Sequence, residues 1–371
     1  MSLKIGRLAG VEVRLHYSWF LIFAFLTWSL AWGYLPLGYP GQSDAFYWGV
    51  GAASALMLFI SVLIHEVAHS AVAQRYKIPV NSITLYFLGG VSEIAEEAHE
   101  PGAELRMAAA GPLTSVLLSV VFTAIHTYAR GILPIAVSAV VEYAGYINII
   151  LALFNLIPAF PMDGGRVLRG FIWGRNKDVL KATRTVTGIS RLISFGFIGL
   201  GLSQTLFYAD FGGLWLLFIG LFINSSAQAS MNETRISQAL TGVTVGDLMT
   251  RDVKTVDPDM TLQQVQDYAL TPMKHHGFPV MKGGELFGII TDEDLRGVKP
   301  ELWDEKKVSD IMKRTDVLIW ARPEDAAVDA LIKLAKAGVG RLPVIEGGRL
   351  VGIITRSDFA RAIQDKLRFR S

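Results

Sequence analysis

The residues whose types and spacing suggest chemistry are His65, Glu66 and His69, in the segment His65-Glu66-Val67-Ala68-His69. Residues four positions apart share one face of a helix, so both imidazoles can reach a single metal ion. Glu66 lies beside them, where it can hold a water molecule. This pattern is typical of metal-assisted hydrolysis, in which the glutamate acts as general base. The alternative interpretation is a polar cluster that only joins helices.

The chain has no cysteine, so a transition metal must be held by His, Asp or Glu. A catalytic zinc ion takes three protein ligands and leaves the fourth position to water. The candidate third ligand is Asp163, which follows the apolar run at 135–157. We expect Pro158 and Pro161 to end that helix, and Gly164-Gly165 to free the backbone so that the carboxylate turns inward. The alternative role of Asp163 is a helix N-cap.

Two other polar or small features lie inside apolar runs. Asn155 could donate a hydrogen bond to a developing oxyanion, or it could bridge two helices. We interpret Gly111-Pro112 as a kink or a close-packing point.

The elements that must position these residues are long apolar helices. The chain is 51% hydrophobic and only 18% charged, whereas soluble domains average about 25% charged residues. About 20 apolar residues are needed to cross a bilayer as a helix. Six runs meet this length: 17–35, 48–74, 104–129, 135–157, 187–207 and 212–230. The His-Glu-x-x-His segment lies inside the second run, where charged groups cost about 2.5 kcal/mol or more and usually mark function.

Lysine and arginine predict the orientation of the spans. If the N-terminus is cytoplasmic, the outer loops near 36–47, 130–134 and 208–211 contain only Arg130. The inner loops then contain Lys4, Arg7, Arg14, Arg75, Lys77, Arg106, Arg166, Arg169, Arg175, Lys177, Lys181 and Arg184. We therefore expect a multi-pass protein of the cell membrane with both termini in the cytoplasm. Net charge is only +2, which does not indicate a nucleic-acid partner.

Residues 78–94 are rich in β-formers and too short to cross as a helix. We predict a re-entrant strand pair that enters from the cytoplasmic side, because non-helical backbone is tolerated there only against protein or water.

After residue 243 the sequence repeats at a spacing of 63–64 residues. The copies align at V-G-D-L-M (245–249) with V-S-D-I-M (308–312), and at G-I-I-T-D-E-D (288–294) with G-I-I-T-R-S-D (352–358). Each copy alternates helices and strands around a Gly-Gly hairpin turn. The tandem copies resemble a CBS domain pair.

The apolar part also resembles a known family. H-E-V-A-H-S in a membrane helix, with N-x7-D-G after a proline-broken span, resembles the site-2 protease family of intramembrane metalloproteases. The resemblance covers about 1–230, and the CBS pair matches one subgroup. It implies one zinc ion bound by His65, His69 and Asp163, with Glu66 as catalytic base and Asn155 as a supporting polar residue. Met162 replaces the family's usual leucine, a swap of similar volume.

CBS pairs of this kind often hold adenine nucleotides, with the Thr and Asp of G-x-x-T-x-x-D near the ribose and phosphates. This resemblance implies Thr291, Asp294, Thr355 and Asp358 as nucleotide contacts. Many CBS pairs serve only for dimerisation, so both a nucleotide and a homodimer stay open.

The sequence therefore predicts an α-helical polytopic membrane domain of about six transmembrane helices with a small re-entrant β segment, followed by a cytoplasmic α/β CBS pair. The predicted boundaries are 1–230 for the membrane domain, 231–243 for a linker, and 244–300 and 307–365 for the CBS domains. The predicted function is zinc-dependent cleavage within the transmembrane segment of a single-span protein in the lipid bilayer, that is, regulated intramembrane proteolysis. The alternatives are a CBS-regulated metal transporter and a non-catalytic membrane binding protein. Glu66 distinguishes them, because only a protease needs a base there.

Overall fold

The computed structural model describes residues 2–87, 89–94, 98–208, 210–267 and 277–368. Two compact units divide the chain, at Met1–Thr234 and Arg235–Ser371. The predicted fold class is confirmed: the first unit is mostly helical with one small sheet, and the second mixes helices with strands.

Among the described residues, six helical segments are long and apolar enough to cross a membrane, and the last of them continues past Thr234 into the second unit. The first is Ser18–Gly38, which comprises α1 (Ser18–Ser29), a π-helical turn (Leu30–Tyr34) and α2 (Leu35–Gly38). The others are α3 (Asp44–Arg75), α4 (Pro101–Ala129), α5 (Ile135–Asn155), α7 (Val179–Tyr208) and α8 (Gly213–Leu240). The shorter α6 spans Asp163–Asn176.

Each predicted apolar run corresponds to one of these helices, but the last two helices are longer than their runs. Helix α7 begins at Val179 and α8 continues to Leu240, through most of the segment 231–243. Charged residues end an apolar run in the sequence, whereas they do not interrupt the backbone hydrogen bonds of a helix. Hydropathy therefore locates the spans but underestimates the lengths of these two helices.

The surface of the helical unit is strongly apolar. Leu37 is 86% exposed, Phe207 81%, Leu192 74% and Trp32 72%. Large apolar side chains this exposed are unfavourable in water, and contiguous exposed apolar surface marks interaction sites or membrane contact. Their exposure, together with the length of the helices, indicates lipid as the surrounding medium.

A four-stranded sheet lies beside these helices, in the order β1 (Ser2–Leu8), β2 (Val11–His16), β3 (Val80–Tyr86) and β4 (Gly89–Ile94). Strands β3 and β4 form the strand pair predicted for 78–94. Strand β2 joins β3 in parallel, and β1 pairs antiparallel with β2. The two N-terminal strands were not predicted, because they depend on pairing with β3, about 70 residues later in the chain.

Helix α6 is tied to α4 by a buried ion pair. The Arg169 guanidinium donates to the Glu104 carboxylate, and both side chains are nearly inaccessible to solvent. Arg169 also reaches the Thr234 hydroxyl of α8 at 3.4 Å. Separating a buried pair leaves an uncompensated charge, so this contact opposes any shift of α6 relative to α4.

The second unit contains the two sequence copies. The first comprises α9 (Val245–Leu248), α10 (Leu262–Val265), β5 (Gly277–Lys282), β6 (Glu285–Thr291) and α11 (Asp292–Arg296). The second comprises α12 (Val308–Ile311), β7 (Lys313–Arg314), α13 (Ala327–Lys336), β8 (Arg341–Glu346), β9 (Arg349–Thr355) and α14 (Arg356–Arg368). Residues 268–276 of the first copy lie outside the described residues.

The two copies interlock in a nearly symmetric way. Lys313 of the second copy pairs with Ile289 on β6, and Thr250 of the first copy pairs with Ile353 on β9. Both hairpin turns are Gly-Gly pairs with positive φ, from +56° to +87°, as type I′ turns require. The interlocked strands explain why the copies form one compact unit.

Candidate metal centre

Two helices bring the three predicted metal ligands together. His65 and His69 lie on α3, and Asp163 is the first residue of α6. The Nε2 atoms of His65 and His69 are 3.1 Å and 3.2 Å from the same oxygen, Asp163 Oδ2. One potential ligand atom from each residue lies within 4.8 Å of the others. Both histidines are buried, and the Asp163 side chain keeps 12% of its surface exposed.

The far side of each imidazole is held by α4. His69 Nδ1 lies 2.6 Å from the Met107 carbonyl oxygen, which can only accept a hydrogen bond. The Nδ1 atom must therefore carry the proton, and a neutral His69 presents the lone pair of Nε2 to the cluster. His65 Nδ1 lies 2.9 Å from the Ser115 hydroxyl. Such partners fix ring orientation and tautomer in metal sites.

The donor set fits a zinc ion. A neutral imidazole Nε2 and a carboxylate oxygen both carry lone pairs, so their close approach requires a proton or a cation between them. Ligand atoms bound about 2.0–2.1 Å from one tetrahedral centre lie about 3.3 Å apart. The nitrogen–oxygen separations of 3.1 Å and 3.2 Å are close to that value. Two imidazoles and one carboxylate also leave a fourth position for water.

Gly111 of α4 keeps the centre of the cluster free of protein atoms. A Cβ atom built on Gly111 would lie 2.2 Å from His69 Nε2 and 2.4 Å from His65 Nε2. That point is nearly at bonding distance from both nitrogens, so a side chain there would occupy the place of a metal. Met107, Gly111 and Ser115 are four residues apart and share one helix face. The predicted close packing at Gly111 is therefore packing against the two imidazoles.

The turn between α5 and α6 places Asp163. Two residues of this turn, Ala159 and Met162, are buried against Ile223 of α8. The Phe160 amide donates to the Ser190 hydroxyl of α7 at 2.9 Å. These contacts hold the turn against both of the last long helices.

The expectation that Gly164 and Gly165 free the backbone is wrong. Both lie inside α6, where a Cβ atom on Gly164 would be 2.3 Å from the Leu156 carbonyl oxygen and one on Gly165 2.6 Å from Ala159. They are needed for close approach of the preceding turn. The N-cap of α6 is Met162, while the Asp163 carboxylate faces the imidazoles.

Glu66 is half-buried beside the cluster and faces strand β4. Its Oε2 accepts a hydrogen bond of 2.6 Å from the Ser92 hydroxyl. The backbone of Gly90 packs against the same side chain: a Cβ atom there would be 2.6 Å from Glu66 Cγ. The sequence predicted the strand pair at 78–94, and it gave no signal for the contact of Ser92 with Glu66.

Asn155 lies at the end of α5 and donates to the Leu151 carbonyl oxygen of its own helix at 3.0 Å. This hydrogen bond neither reaches the cluster nor bridges two helices. The bridge between α5 and α3 is made instead by the buried Asn148, which donates to the Ser61 hydroxyl at 2.9 Å. Ser61 is one turn before His65, so Asn148 fixes α5 close to the site.

The four predicted nucleotide contacts form two equivalent helix caps. Asp294 Oδ2 accepts from the Thr291 amide at 2.9 Å and hydroxyl at 2.6 Å. Asp358 Oδ2 accepts from the Thr355 amide at 2.9 Å and hydroxyl at 2.7 Å. Each Thr–Asp pair therefore stabilises the start of a helix, which is a structural role in its own right.

Arg341 connects these two caps. It pairs across β8–β9 with Thr355, and its guanidinium donates to the carbonyl oxygen of Gly277, which pairs with Thr291. Burial lowers the pKa of the Arg341 guanidinium, which stays charged at neutral pH. The repeat gave no signal for Arg341, because its equivalent in the first copy is Gly277.

Comparison with known proteins gives matches to both units. The family model described as peptidase family M50 matches residues 53–132 and 125–198, and the CBS domain model matches 245–301 and 308–365. Rip3 of Mycobacterium tuberculosis, which carries a zinc metalloprotease name, is 37% identical over 98% of this chain and 93% of its own length. The zinc metalloprotease MJ0392 of Methanocaldococcus jannaschii is 28% identical over 98% of this chain and 96% of its own.

Among solved structures, the site-2 protease of Methanocaldococcus jannaschii is 27% identical. The match covers 62% of this chain and 94% of that structure, with a TM-score of 0.42.

The role of Gly111 can be tested by metal content. We expect Gly111→Ala to weaken metal binding by about 10- to 100-fold, the range seen when the surroundings of metal ligands are altered. The matched control is Gly199→Ala on α7, where a Cβ atom would meet, apart from its chain neighbours and the nearby backbone of its own helix, no described residue within 4 Å. Metal per chain is measured on purified protein by plasma mass spectrometry. Wild-type metal content in Gly111→Ala would contradict the geometry.

Proposed function

Because this chain belongs to peptidase family M50, the site-2 protease family, in the form that carries a CBS pair, we propose that it is an intramembrane zinc endopeptidase. The proposed reaction is hydrolysis of a peptide bond within the transmembrane segment of a single-span membrane protein. The observation that carries the proposal is the convergence of His65, His69 and Asp163, next to Glu66 on the same helix.

His65, His69 and Asp163 would hold one zinc ion, with their far sides fixed by Ser115 and Met107. When bound there, zinc supplies Lewis acidity, which lowers the pKa of a water molecule and polarises a peptide carbonyl. The protein supplies the remaining chemistry. Its buried imidazoles and carboxylate are already gathered, so little reorganisation is needed on binding.

Glu66 is the proposed general base. Its carboxylate would take a proton from the attacking water and return it to the leaving amine. Asn155 uses one amide proton within its own helix, and its second amide proton is available to stabilise the oxyanion. The role of Glu66 follows from its residue type and its position next to His65, and the role of Asn155 follows from its residue type.

A substrate helix hides its carbonyl carbons within hydrogen bonds from residue i to i−4, so cleavage requires local unwinding. Strand β4 offers a place for the unwound segment. In the part of the chain that the structure describes, β4 pairs only with β3, and its other edge is free. A substrate strand could add to that edge, as in β-augmentation, next to Glu66.

Metal transport is the competing proposal for the same ligands. A transport site must release its ion, whereas here the imidazoles are fixed by α4 and the cluster adjoins a carboxylate held by Ser92. An additional carboxylate gives a transporter only more charge, while hydrolysis requires it as base. Relatives that match nearly the whole chain carry zinc metalloprotease names. We therefore favour the protease.

The role of Glu66 is tested by Glu66→Gln, which keeps the side-chain shape but cannot accept a proton. We expect cleavage of a tagged single-span reporter in proteoliposomes to fall by about 10²- to 10⁴-fold, the usual range for general-base catalysis. Zinc per chain should not change. Glu93→Gln, an exposed position on β4, is the control. Wild-type cleavage by Glu66→Gln would exclude it as base, and equal zinc in His65→Ala would exclude the ligand assignment.

We propose that both termini and the CBS pair are cytoplasmic, from the distribution of lysine and arginine between the loops. Single cysteines report on this directly, because the chain has none of its own. Ala45→Cys and Thr241→Cys both replace exposed residues. In intact cells an impermeant maleimide should label Ala45→Cys, and it should label Thr241→Cys only after permeabilisation. The reverse pattern would invert the topology.

We further propose that the CBS pair binds an adenine nucleotide and regulates proteolysis, and that the pair can dimerise. The two Thr–Asp caps present matching sites, and the half-buried guanidinium of Arg341 places a cation between them that suits a phosphate. Regulation by a ligand requires different affinities for two states, and couplings of this kind amount to about 1–3 kcal/mol.

Nucleotide binding is tested on the full-length protein with ATP, ADP and AMP by calorimetry. We expect Arg341→Ala to weaken binding about tenfold or more, because a hydrogen bond to a charged group contributes about 1.5–3 kcal/mol. Arg349→Ala, on the exposed start of β9, is the control. Cleavage rate is followed with each nucleotide. If none of the three binds and the rate does not change, the CBS pair serves only for dimerisation or docking.

A further inference from the structure

Strand β4 contacts the Glu66 side chain at two points. The Ser92 hydroxyl donates to Glu66 Oε2 at 2.6 Å. Two residues earlier, the absence of a side chain at Gly90 leaves room for the Glu66 methylene groups, since a Cβ atom there would be 2.6 Å from Cγ and 3.2 Å from Cδ. The carboxylate therefore has a polar contact on one side and a backbone wall on the other.

The strand register explains why these two residues act together. Side chains alternate between the faces of a strand, so positions 90 and 92 lie on the same face. Directly paired residues of antiparallel strands share a face, and Gly90 pairs with Leu85 while Ser92 pairs with Ile83. Ser82 pairs with Glu93 and hence lies on the opposite face. One face of the hairpin is thus fitted to Glu66.

We propose that Gly90 and Ser92 are positioning residues, which hold the Glu66 carboxylate in the orientation needed to accept a proton. The inference rests on the proposed function, in which Glu66 is the base. A glutamate has three rotatable side-chain bonds, and the Ser92 hydrogen bond together with the Gly90 backbone restricts them. Such supporting contacts alter activity by about 10- to 100-fold when they are removed.

The same strand provides the free edge for substrate. Paired strands lie about 4.7–4.9 Å apart, so a peptide added to β4 would lie within one strand spacing of the residues that hold Glu66. Substrate binding and orientation of the base are therefore coupled through β4. Because the Ser92 hydroxyl contacts the base itself, its loss is expected to lower the catalytic rate more than it weakens substrate binding.

The contact itself is tested by cross-linking, which needs no activity. A disulfide requires Cβ atoms about 3.5–4.5 Å apart, which the approach of Glu66 to Gly90 allows. The full-length double variant Glu66→Cys with Gly90→Cys should lose both free thiols on mild oxidation, counted with a maleimide polymer after denaturation. Glu66→Cys with Ser82→Cys is the control and should keep both. Free thiols in the first variant, or cross-linking in both, would overturn the proposed contact.

The role is tested by kinetics on the zinc-loaded enzyme in proteoliposomes with a tagged single-span reporter. We expect Ser92→Ala to lower kcat by about 10- to 100-fold with KM changed less than about threefold. Ser92→Thr, which keeps the hydroxyl, should restore most of the rate. Ser82→Ala is the matched control, because that buried hydroxyl has no hydrogen-bond partner among the described residues.

The outcomes separate a failure of the positioning role from a failure of the proposed protease function. A normal kcat in Ser92→Ala, or an equal loss in Ser82→Ala, would show that Ser92 does not position the base. A change confined to KM would assign Ser92 to substrate binding and overturn the inference. Absence of zinc-dependent cleavage by the wild type would count against the proposed protease, while the cross-linking result would still decide whether β4 contacts Glu66.

Discussion

The rest of the helical unit depends on one contact: two imidazole nitrogens that meet a single carboxylate oxygen in the protein interior. Polar groups of this kind are unfavourable in an apolar region unless each is paired or bound to a cation. Each neighbouring element helps to pair or hold these polar groups. Helix α3 supplies the imidazoles, α4 holds their far sides, and the turn before α6 supplies the carboxylate. Strand β4 holds the glutamate that follows His65.

Such convergence is possible only where backbones approach closely, and glycine marks each of those places. Gly111 leaves space between the two Nε2 atoms, and Gly90 leaves space for Glu66. Gly164 lets the α5–α6 turn fold back on α6. A methyl group at any of these positions would meet another heavy atom at 2.6 Å or less. At these positions glycine is needed because it has no side chain. In the CBS hairpins it is needed for a different reason, namely the positive φ angles of the turns.

The sequence predicted those features that depend on local spacing. The two histidines with their glutamate, the six apolar helices and the hairpin at 78–94 each show in a short stretch of sequence, and the CBS copies show as a repeat at 63–64 residues. The place of Asp163 in the cluster was also predicted, because its proline-broken context is local. Contacts made between distant segments were not predicted: Ser92 with Glu66, Ser115 with His65, and the two N-terminal strands with β3. A serine in an apolar run carries no sign of which helix it will face, so only the folded chain identifies its partner.

X-ray absorption spectroscopy at the zinc edge of the purified protein can show whether His65, His69 and Asp163 bind one zinc ion. We predict two imidazole nitrogens at about 2.0–2.1 Å and oxygen ligands at about 2.0–2.2 Å, in a four-coordinate site. Replacing His65 by alanine should remove one imidazole from the spectrum. A first shell made only of oxygen, without imidazole scattering, would contradict the account.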